Sequence, residues 1–295
     1  MRRCVLLICP KLSAIYYMKK NKNKFLRCVV LFTTLVITWA VNTFTIKKTY
    51  ISIFDKKIND KITIVQITDL HGSNFGLDND ILISKIRREN PDIIAVTGDM
   101  YTHYQDENLT KKGRETAIRL MEELSKEFKV YFVNGEHDNC NTYKETLKHK
   151  GVHVLDYKSE PIIIGKTKIN LYGVNNVYYS STYDLSNEFS IDKSSYNILM
   201  AHICNADAFT KFGMDLSLCG DTHGGQVRVP FVGAIYDGNS LLPEISKNKD
   251  KNFVKGLYQY RDKKIFISSG LGNYPITVRL FNRPEIAVIK LQGEN

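Results

Sequence analysis

The chain contains neither a glycine-rich phosphate loop nor a dinucleotide-binding fingerprint. That removes the nucleotide-dependent enzymes built on those turns. Its six cysteines include no pair at C-x-x-C spacing, so neither a thiolate metal cage nor a disulfide framework is expected. Cys4, Cys9 and Cys28 fall in the N-terminal segment, and Cys140, Cys204 and Cys219 are scattered. They read as small buried hydrophobes, with a redox role for Cys204 and Cys219 left open. No internal repeat or low-complexity tract appears. Most of the chain also lacks a basic excess. The net charge of +10 is concentrated in residues 1–61, which hold 13 Lys/Arg against 2 Asp/Glu and leave the remaining 234 residues with 28 against 29. An enzyme acting on nucleic acid carries its basic patch on the folded domain, so that class is disfavoured.

The N-terminal segment has its own logic. Residues 1–28 are basic, and the run from Val29 to Ile46 carries no charge. Its length matches the roughly 20 apolar residues that cross a bilayer. Lys19, Lys20, Lys22, Lys24 and Arg27 precede it, and Lys47 and Lys48 follow. The charge bias predicts a single-pass anchor with a cytoplasmic N-terminus and an extracytoplasmic domain. No small-x-small cleavage site follows the run, so an uncleaved anchor is expected rather than a signal peptide. Met18-Lys19-Lys20 opens an ordinary basic n-region, which makes Met18 the expected start of translation.

Residues 47–61 form a charged linker with β-prone segments, able either to add an edge strand or to tether the domain. From residue 62 to 295, a composition of 43% hydrophobic residues overall suits one large globular domain. Strands and helices alternate at first, with helices expected near 78–90, 113–128 and 141–150. Such alternation implies βαβ units. After Val152 the texture turns to strands joined by short turns, near 152–155, 161–164, 168–174, 197–201, 215–219, 254–260, 264–269 and 285–291, with one helix near 205–212. The pattern predicts an α/β class with two sheets face to face and helices outside. Residues 175–195, with Tyr178, Tyr179 and Tyr183, read as a long loop of the kind that often covers a site.

Several apolar runs end in residues with metal-binding or acid-base chemistry. Ile64–Ile67 leads to Asp69 and His71, Ile93–Val96 to Gly98-Asp99, and Val130–Val133 to Gly135-Glu136-His137-Asp138. Ile198–Ala201 leads to His202, and Leu216–Cys219 to Gly220-Asp221-Thr222-His223. Asp69 and His71 stand two apart, as do Asp221 and His223, so in extended segments each pair faces one way. Singly, an Asp at a strand end is a turn former or helix cap and a His is an ordinary core or surface residue. Together, four of the seven His at strand ends predict a convergent centre. Its mixed oxygen and nitrogen donors suit Mn, Fe or Zn rather than calcium. Two such metals can share a bridging carboxylate, for which Asp99 is the natural choice, and a bridging hydroxide for attack on a phosphate ester. His149 and His153 lack this context and read as structural; His103 could reach a substrate.

The order Asp69-x-His71, Gly98-Asp99, Gly135-x-His137-Asp138, His202 and Gly220-x-Thr222-His223-Gly224-Gly225-Gln226 resembles the signature of the calcineurin-like metallophosphoesterases. The resemblance spans about 62–291. The Gly-Gly-Gln tail and the closing Gly270-Leu271-Gly272 … Arg279-Leu280-Phe281-Asn282-Arg283-Pro284-Glu285 are similar to its membrane-associated branch, which includes UDP-diacylglucosamine pyrophosphohydrolase-like and cell-wall-associated phosphoesterases. The resemblance implies a four-layer α/β/β/α sandwich with two divalent metal ions at the strand ends. One metal would take Asp69, His71, Asp99 and His223. The second would share Asp99 and add Glu136, His202 and Asp221. His137 would protonate the leaving oxygen or stabilise charge, positioned by Asp138.

Two positions depart from that pattern: Glu136 stands where the family has Asn, and Asp221 where it has His. Both fall on the second metal. More anionic donors favour Mn²⁺ or Mg²⁺ over Zn²⁺, and their repulsion of a phosphate dianion favours a diester or pyrophosphate substrate. A mononuclear or non-catalytic envelope-binding protein on the same scaffold is the alternative. The anchor raises the expectation of a lipid-linked substrate. Tyr178, Tyr179, Tyr183 and Leu241-Leu242-Pro243 could supply apolar contacts, and Arg228, Arg279 and Arg283 phosphate contacts or structural ion pairs. A monomer without a nucleic-acid partner is expected.

Overall fold

A computed structural model describes residues 10–175, 184–236, 240–245 and 253–294. In chain order its elements are α1 (Pro10–Phe44), β1 (Lys47–Asp55), β2 (Ile62–Ile67), α2 (Asp80–Arg87), β3 (Ile93–Val96), α3 (Glu107–Ser125), β4 (Val130–Phe132), α4 (Asn141–His149) and β5 (His153–Val154). There follow β6 (Lys158–Ile164), β7 (Thr167–Gly173), β8 (Tyr196–Met200), α5 (Ala206–Phe212), β9 (Leu216–Cys219), β10 (Arg228–Val229), β11 (Gly233–Ala234), β12 (Gly256–Tyr260), β13 (Lys263–Ile267) and β14 (Glu285–Gly293). One six-stranded sheet has the order β1-β14-β2-β3-β4-β5 and the other β12-β13-β9-β8-β7-β6. Both are mixed: β2 to β5 run parallel, whereas β14 lies antiparallel to β2 and parallel to β1.

The two-residue side-chain period of the strands divides the core into layers. Ile64, Ile93, Ala95, Tyr131 and Ile289 of the first sheet meet Leu171, Ile198, Met200, Leu218 and Phe266 of the second. On the opposite face of the first sheet, Val65, Ile67, Ile94, Val96 and Phe132 pack against Leu82 and Ile86 of α2, Leu120 and Leu124 of α3 and Leu147 of α4. On the outer face of the second, Leu199, Cys219, Ile265 and Ile267 pack with Phe209 of α5 and with Leu185 and Phe189. Three apolar layers between helix, sheet, sheet and helix make the expected α/β/β/α sandwich. Because both faces of each sheet are covered, the central strands are nearly unbroken apolar runs.

Several boundaries differ from those read in the sequence. Residues 47–55 take the edge-strand alternative and not that of a tether: β1 pairs in parallel with β14 over nine positions, from Lys47 opposite Glu285 to Asp55 opposite Gly293. Alternate residues Ile51 and Ile53 enter the inter-sheet core, which is why the strand joins the domain. The uncharged run also ends differently. Helix α1 stops at Phe44, and Ile46 packs in the domain core rather than extending the apolar helix. Helix α3 starts six residues before the expected 113 because Asp106 accepts the Asn108 amide at 2.8 Å and caps it, a contribution of about 1 kcal/mol. Part of the 175–195 stretch is structural, since Leu185 and Phe189 are buried on the second sheet. Tyr178, Tyr179 and Tyr183 lie outside the described residues.

The chain divides into two units, Met1–Val41 and Asn42–Asn295. In the first, the helix stretch from Lys22 has an apolar composition and length sufficient to cross a membrane.

Candidate metal centre

The first sheet ends β2 at Ile67 and β3 at Val96, and beyond those points the two loops run on side by side. Asp69 donates its amide to the Gly98 carbonyl (3.0 Å), His71 to that of Asp99 (3.0 Å) and Gly72 to that of Met100 (2.9 Å). Gly220 donates to His202 across the second sheet (2.9 Å). The candidate ligands are not in extended backbone, as two-residue spacing suggested. Asp69, His71, Asp99, Asp221 and His223 have φ of 51°, 49°, 53°, 72° and 49°. Each such left-handed non-glycine residue costs on the order of 1–3 kcal/mol, and such strain clusters at functional sites. These turns, and not strand alternation, set where the side chains point.

Six of the predicted residues converge. The ligand atoms of Asp69, His71 and His223, of Asp69, Asp99 and His202, and of His71, Asp99 and His137 each lie within 4.8 Å of one another. His202 Nε2 stands 3.2 Å from Asp99 Oδ2 and 3.8 Å from both Asp69 Oδ1 and Asp221 Oδ1. His71 Nε2 is 3.1 Å from His223 Nε2. Three buried atoms here have no hydrogen-bond partner: Asp69 Oδ2, His202 Nε2 and His223 Nδ1. The 3.2 Å approach of His202 to Asp99 is therefore close but misaligned. Buried polar atoms are otherwise almost always satisfied, so an orphaned carboxylate oxygen and two orphaned imidazole nitrogens within one cluster of close Asp and His donors fit a divalent cation. Second partners fix the rings as metal-binding histidines require: His71 Nδ1 meets Thr102 Oγ1 at 2.7 Å, and His202 Nδ1 donates to the Thr97 carbonyl at 2.7 Å.

Electrostatics agree with that reading. Burial pushes His71 down to about 3 and, with His71 and Arg279 beside it, holds His223 well below its usual value. Both imidazoles thus keep a lone pair available to a metal. Burial also lifts the Asp69 carboxyl to about 7, reinforced by the neighbouring Asp99 and Asp221. His202 runs the other way: burial lowers it, but Asp99, Asp69 and Asp221 outweigh that and raise it. Against the cost of its own burial, Asp99 is held low by His202. A centre that stabilises a buried imidazolium among three carboxylates stabilises positive charge at that point.

Residues 62–225 match the family model described as calcineurin-like phosphoesterase. The chain belongs to that family. It is a phosphoester hydrolase, and curated relatives of similar length carry names of the same kind. The phosphodiesterase YaeI of Escherichia coli is 28% identical over 239 residues, 77% of this chain and 81% of its own. YkuE of Bacillus subtilis, named an uncharacterized metallophosphoesterase, is 28% identical over 246 residues, covering 80% and 81% of the two chains. Among solved structures, TT1561 of Thermus thermophilus aligns with a TM-score of 0.43 and 11% identity over 70% of this chain and 89% of that one.

Within this phosphoesterase, one expected ligand, Glu136, stands apart, and another, Asp221, lies at the rim of the centre with its Oδ1 3.8 Å from His202 Nε2. Glu136 is exposed and the Asp221 side chain is 41% exposed, and neither enters a group of three close donors. Asp138 does not address His137. Its carboxylate accepts the amides of Gly135 (2.7 Å) and Met100 (2.8 Å), tying the loop after β4 to the loop after β3. His137 meets the centre through its own amide, which donates to Asp99 Oδ1 at 2.9 Å. Glycines let these loops approach. A Cβ on Gly135 would lie 2.1 Å from Asp99 Oδ1, and one on Gly220 would lie 2.7 Å from Asp69 Oδ2. His103 and His149 are exposed away from the donor groups, and His153 pairs with Glu160 at 3.1 Å.

The phosphoesterase site also contains residues that strand-end logic missed. The Tyr274 ring stacks on His71 with centroids 4.8 Å apart and meets His137 edge-on at 4.6 Å. Asn282 donates to the His223 carbonyl at 2.7 Å and accepts from the half-buried Lys255 at 2.8 Å. Of the three arginines considered, Arg228 pairs with Glu244 at 2.7 Å. Arg279 is fully buried and donates to the Gly272 carbonyl. Arg283 bonds the Thr45 and Ile46 carbonyls and lines a cleft of about 730 Å³ that reaches His71. The apolar side of that cleft is Phe44, Phe75 and Ile81; Lys85 and Asn74 are among its polar residues. Leu241 and Leu242 are not part of it.

Proposed function

We propose a membrane-anchored, two-metal phosphohydrolase that cleaves a phosphodiester or pyrophosphate bond of an amphiphilic, lipid-linked substrate. The observation that carries it is the convergence of Asp69, His71, Asp99, His202 and His223, with orphaned buried donor atoms, beside a cleft that reaches His71. Asp69, His71, Asp99 and His223 would hold one divalent ion; Asp99, His202, Asp221 and Glu136 would hold the other. Such ions supply charge neutralisation for the phosphoryl oxygens and a water acidic enough to attack near neutral pH.

The chain's own residues do the rest. Asp99 is fixed by the His137 amide, so a displaced Asp99 and a displaced His137 loop are one event. The His137 imidazole, partly exposed beside His71 and Tyr274, is placed to protonate the leaving oxygen. Asp138 anchors the turn that carries it. Glu136 and Asp221 add negative charge on one side of the centre; Glu136 contributes to raising Asp221, after burial. That charge favours Mn²⁺ or Mg²⁺ and a substrate with one negative charge per phosphate. The cleft's mixture of Phe44, Phe75 and Ile81 with Lys85 and Arg283 suits an acyl chain joined to an anionic headgroup. The positive residues before the apolar helix support a domain outside the cytoplasm.

Turnover of bis-p-nitrophenyl phosphate by the full chain with Mn²⁺ tests the enzyme reading. His137→Ala should lower kcat by 10²-fold or more while metal content stays unchanged. A second reading, a mononuclear or non-catalytic protein, is favoured by the position of Glu136 and Asp221 outside the close donor groups. Absence of turnover on diester, monoester and pyrophosphate substrates would favour the non-catalytic form of it.

A further inference from the structure

A group of exposed apolar side chains lies on short segments outside the two six-stranded sheets. Four short segments run side by side there: Leu280 pairs with Val227, Ile235 donates to the Val227 carbonyl at 3.0 Å, and Leu242 donates to that of Ile235 at 2.8 Å. Along them Val229, Phe231, Leu241, Ile245, Ile276 and Phe281 are exposed, and Phe231 is wholly so. Val229, Phe231, Ile245 and Phe281 line one shallow depression, closed by the Arg228–Glu244 ion pair. Single exposed apolar residues are ordinary on a protein surface; a contiguous group marks a contact with something apolar.

The position of this surface identifies its occupant. Arg279, between Val278 and Leu280, donates its amide to Thr43 Oγ1 at 3.3 Å, and Thr43 Oγ1 reaches back to the Arg279 carbonyl at 3.4 Å. Thr43 is buried in the domain and lies two residues beyond Val41, where the apolar helix begins to be a separate unit. The chain therefore leaves the domain for that helix at the edge of the exposed apolar surface. We infer that the β10–β11 hairpin, with residues 241–245 and 276–281, is a second membrane contact that sinks into the boundary between headgroups and acyl chains. Phe231 and Phe281 are its anchors, in the manner of apolar side chains at a bilayer interface. The same residues 43–46 wall the cleft that reaches His71, so this seating brings the cleft mouth to the headgroup layer. The inference rests on the anchor reading and adds a surface that reading does not require.

The single tryptophan, Trp39, lies in the apolar helix and serves as an internal control. The full chain is reconstituted into phosphatidylcholine vesicles with and without brominated acyl chains, as the native protein and as Trp39→Phe carrying either Phe231→Trp or Ile163→Trp. Ile163 is an exposed residue of β6 in the second sheet. The native protein and the Phe231→Trp variant should both lose at least half their emission in brominated vesicles, and the Ile163→Trp variant should lose little. Quenched native Trp39 with Phe231→Trp no more quenched than Ile163→Trp overturns the second contact and leaves the anchor standing. If the unquenched Phe231→Trp emission is also blue-shifted, a second copy of the chain covers the patch instead. Quenching of neither overturns both readings.

Discussion

Gly135→Ala puts the close packing of the centre to a direct test. The glycine has no left-handed backbone to lose, so the substitution acts only through space. Its new methyl would sit 2.1 Å from Asp99 Oδ1, 2.7 Å from Cγ and 2.8 Å from the Asp99 amide. Carbon and oxygen need well over 3 Å, so the carboxylate must move by about 1 Å or the β3 and β4 loops must part. Overpacking of this kind costs about 1–3 kcal/mol. Loss of the His137 amide bond to Asp99 Oδ1 adds about 1.5–3 kcal/mol for a charged acceptor. The two share one atom and are not additive, so about 2–5 kcal/mol is expected, which lowers Tm by roughly 5–15 °C for a domain of this size. If the carboxylate swings instead, stability is spared and function is lost, because a displacement of about 1 Å can cost 10²-fold in rate. Thermal melting, metal content and kcat/KM on bis-p-nitrophenyl phosphate together separate the cases. A variant unchanged in all three would refute the idea that Gly135 is kept small by Asp99.

Other consequences can be checked with the same preparations. Thr102→Val removes the partner of His71 Nδ1; metal affinity should fall 10–100-fold, measured by competition with a chelating dye, with the fold intact by circular dichroism. Asp69 is raised to about 7, so the folded state holds its proton at pH values where the unfolded chain has lost it. Asp69's own contribution to the stability of the metal-free protein should therefore fall as pH rises from about 4 to about 7, while the depressed His71 contributes in the opposite sense; comparing the native protein with Asp69→Asn isolates the Asp69 part. Metal must displace that proton and the one held by the raised His202, so metal affinity should climb as pH rises through the same range. Denaturant titrations at several pH values, with and without Mn²⁺, read both signs. Asp221→His combined with Glu136→Asn removes two carboxylates from one side of the centre and should shift preference from Mn²⁺ toward Zn²⁺; an unchanged metal profile would count against the charge argument.

Much of the fold was legible because burial on both sheet faces writes itself as short apolar runs. The runs at Ile93–Val96 and Leu216–Cys219 are strands to the residue, and the strand-end Asp and His residues converge as their chemistry suggested. What escaped was non-local. Nothing within Lys47–Asp55 names its partner, since β14 lies more than 230 residues away and only its pairing turns a charged stretch into an edge strand. Tyr274 comes from a loop with no periodicity, and Asn282 and Arg279 were marked only by the family resemblance; all three reach the site because Leu271 and Glu285 donate to the carbonyls of Thr68 and Gly270. Asp138 was legible as buried chemistry but not as a backbone acceptor. Its neighbours Gly135 and Met100 lie on different loops, and residue spacing carries no information about which amide a carboxylate will meet. The left-handed turns at Asp69, His71 and Asp99 were hidden for a similar reason: tertiary contacts hold a conformation that the residues alone disfavour.

The central claim is a centre with two metals, one side of it built from Glu136 and Asp221. Its most direct test is the metal content of the full chain purified in detergent without chelator and supplied with Mn²⁺, compared with Asp221→Ala. Two ions per chain in the native protein, falling to one in Asp221→Ala, is the predicted result. One ion per chain, unchanged by Asp221→Ala, would contradict it.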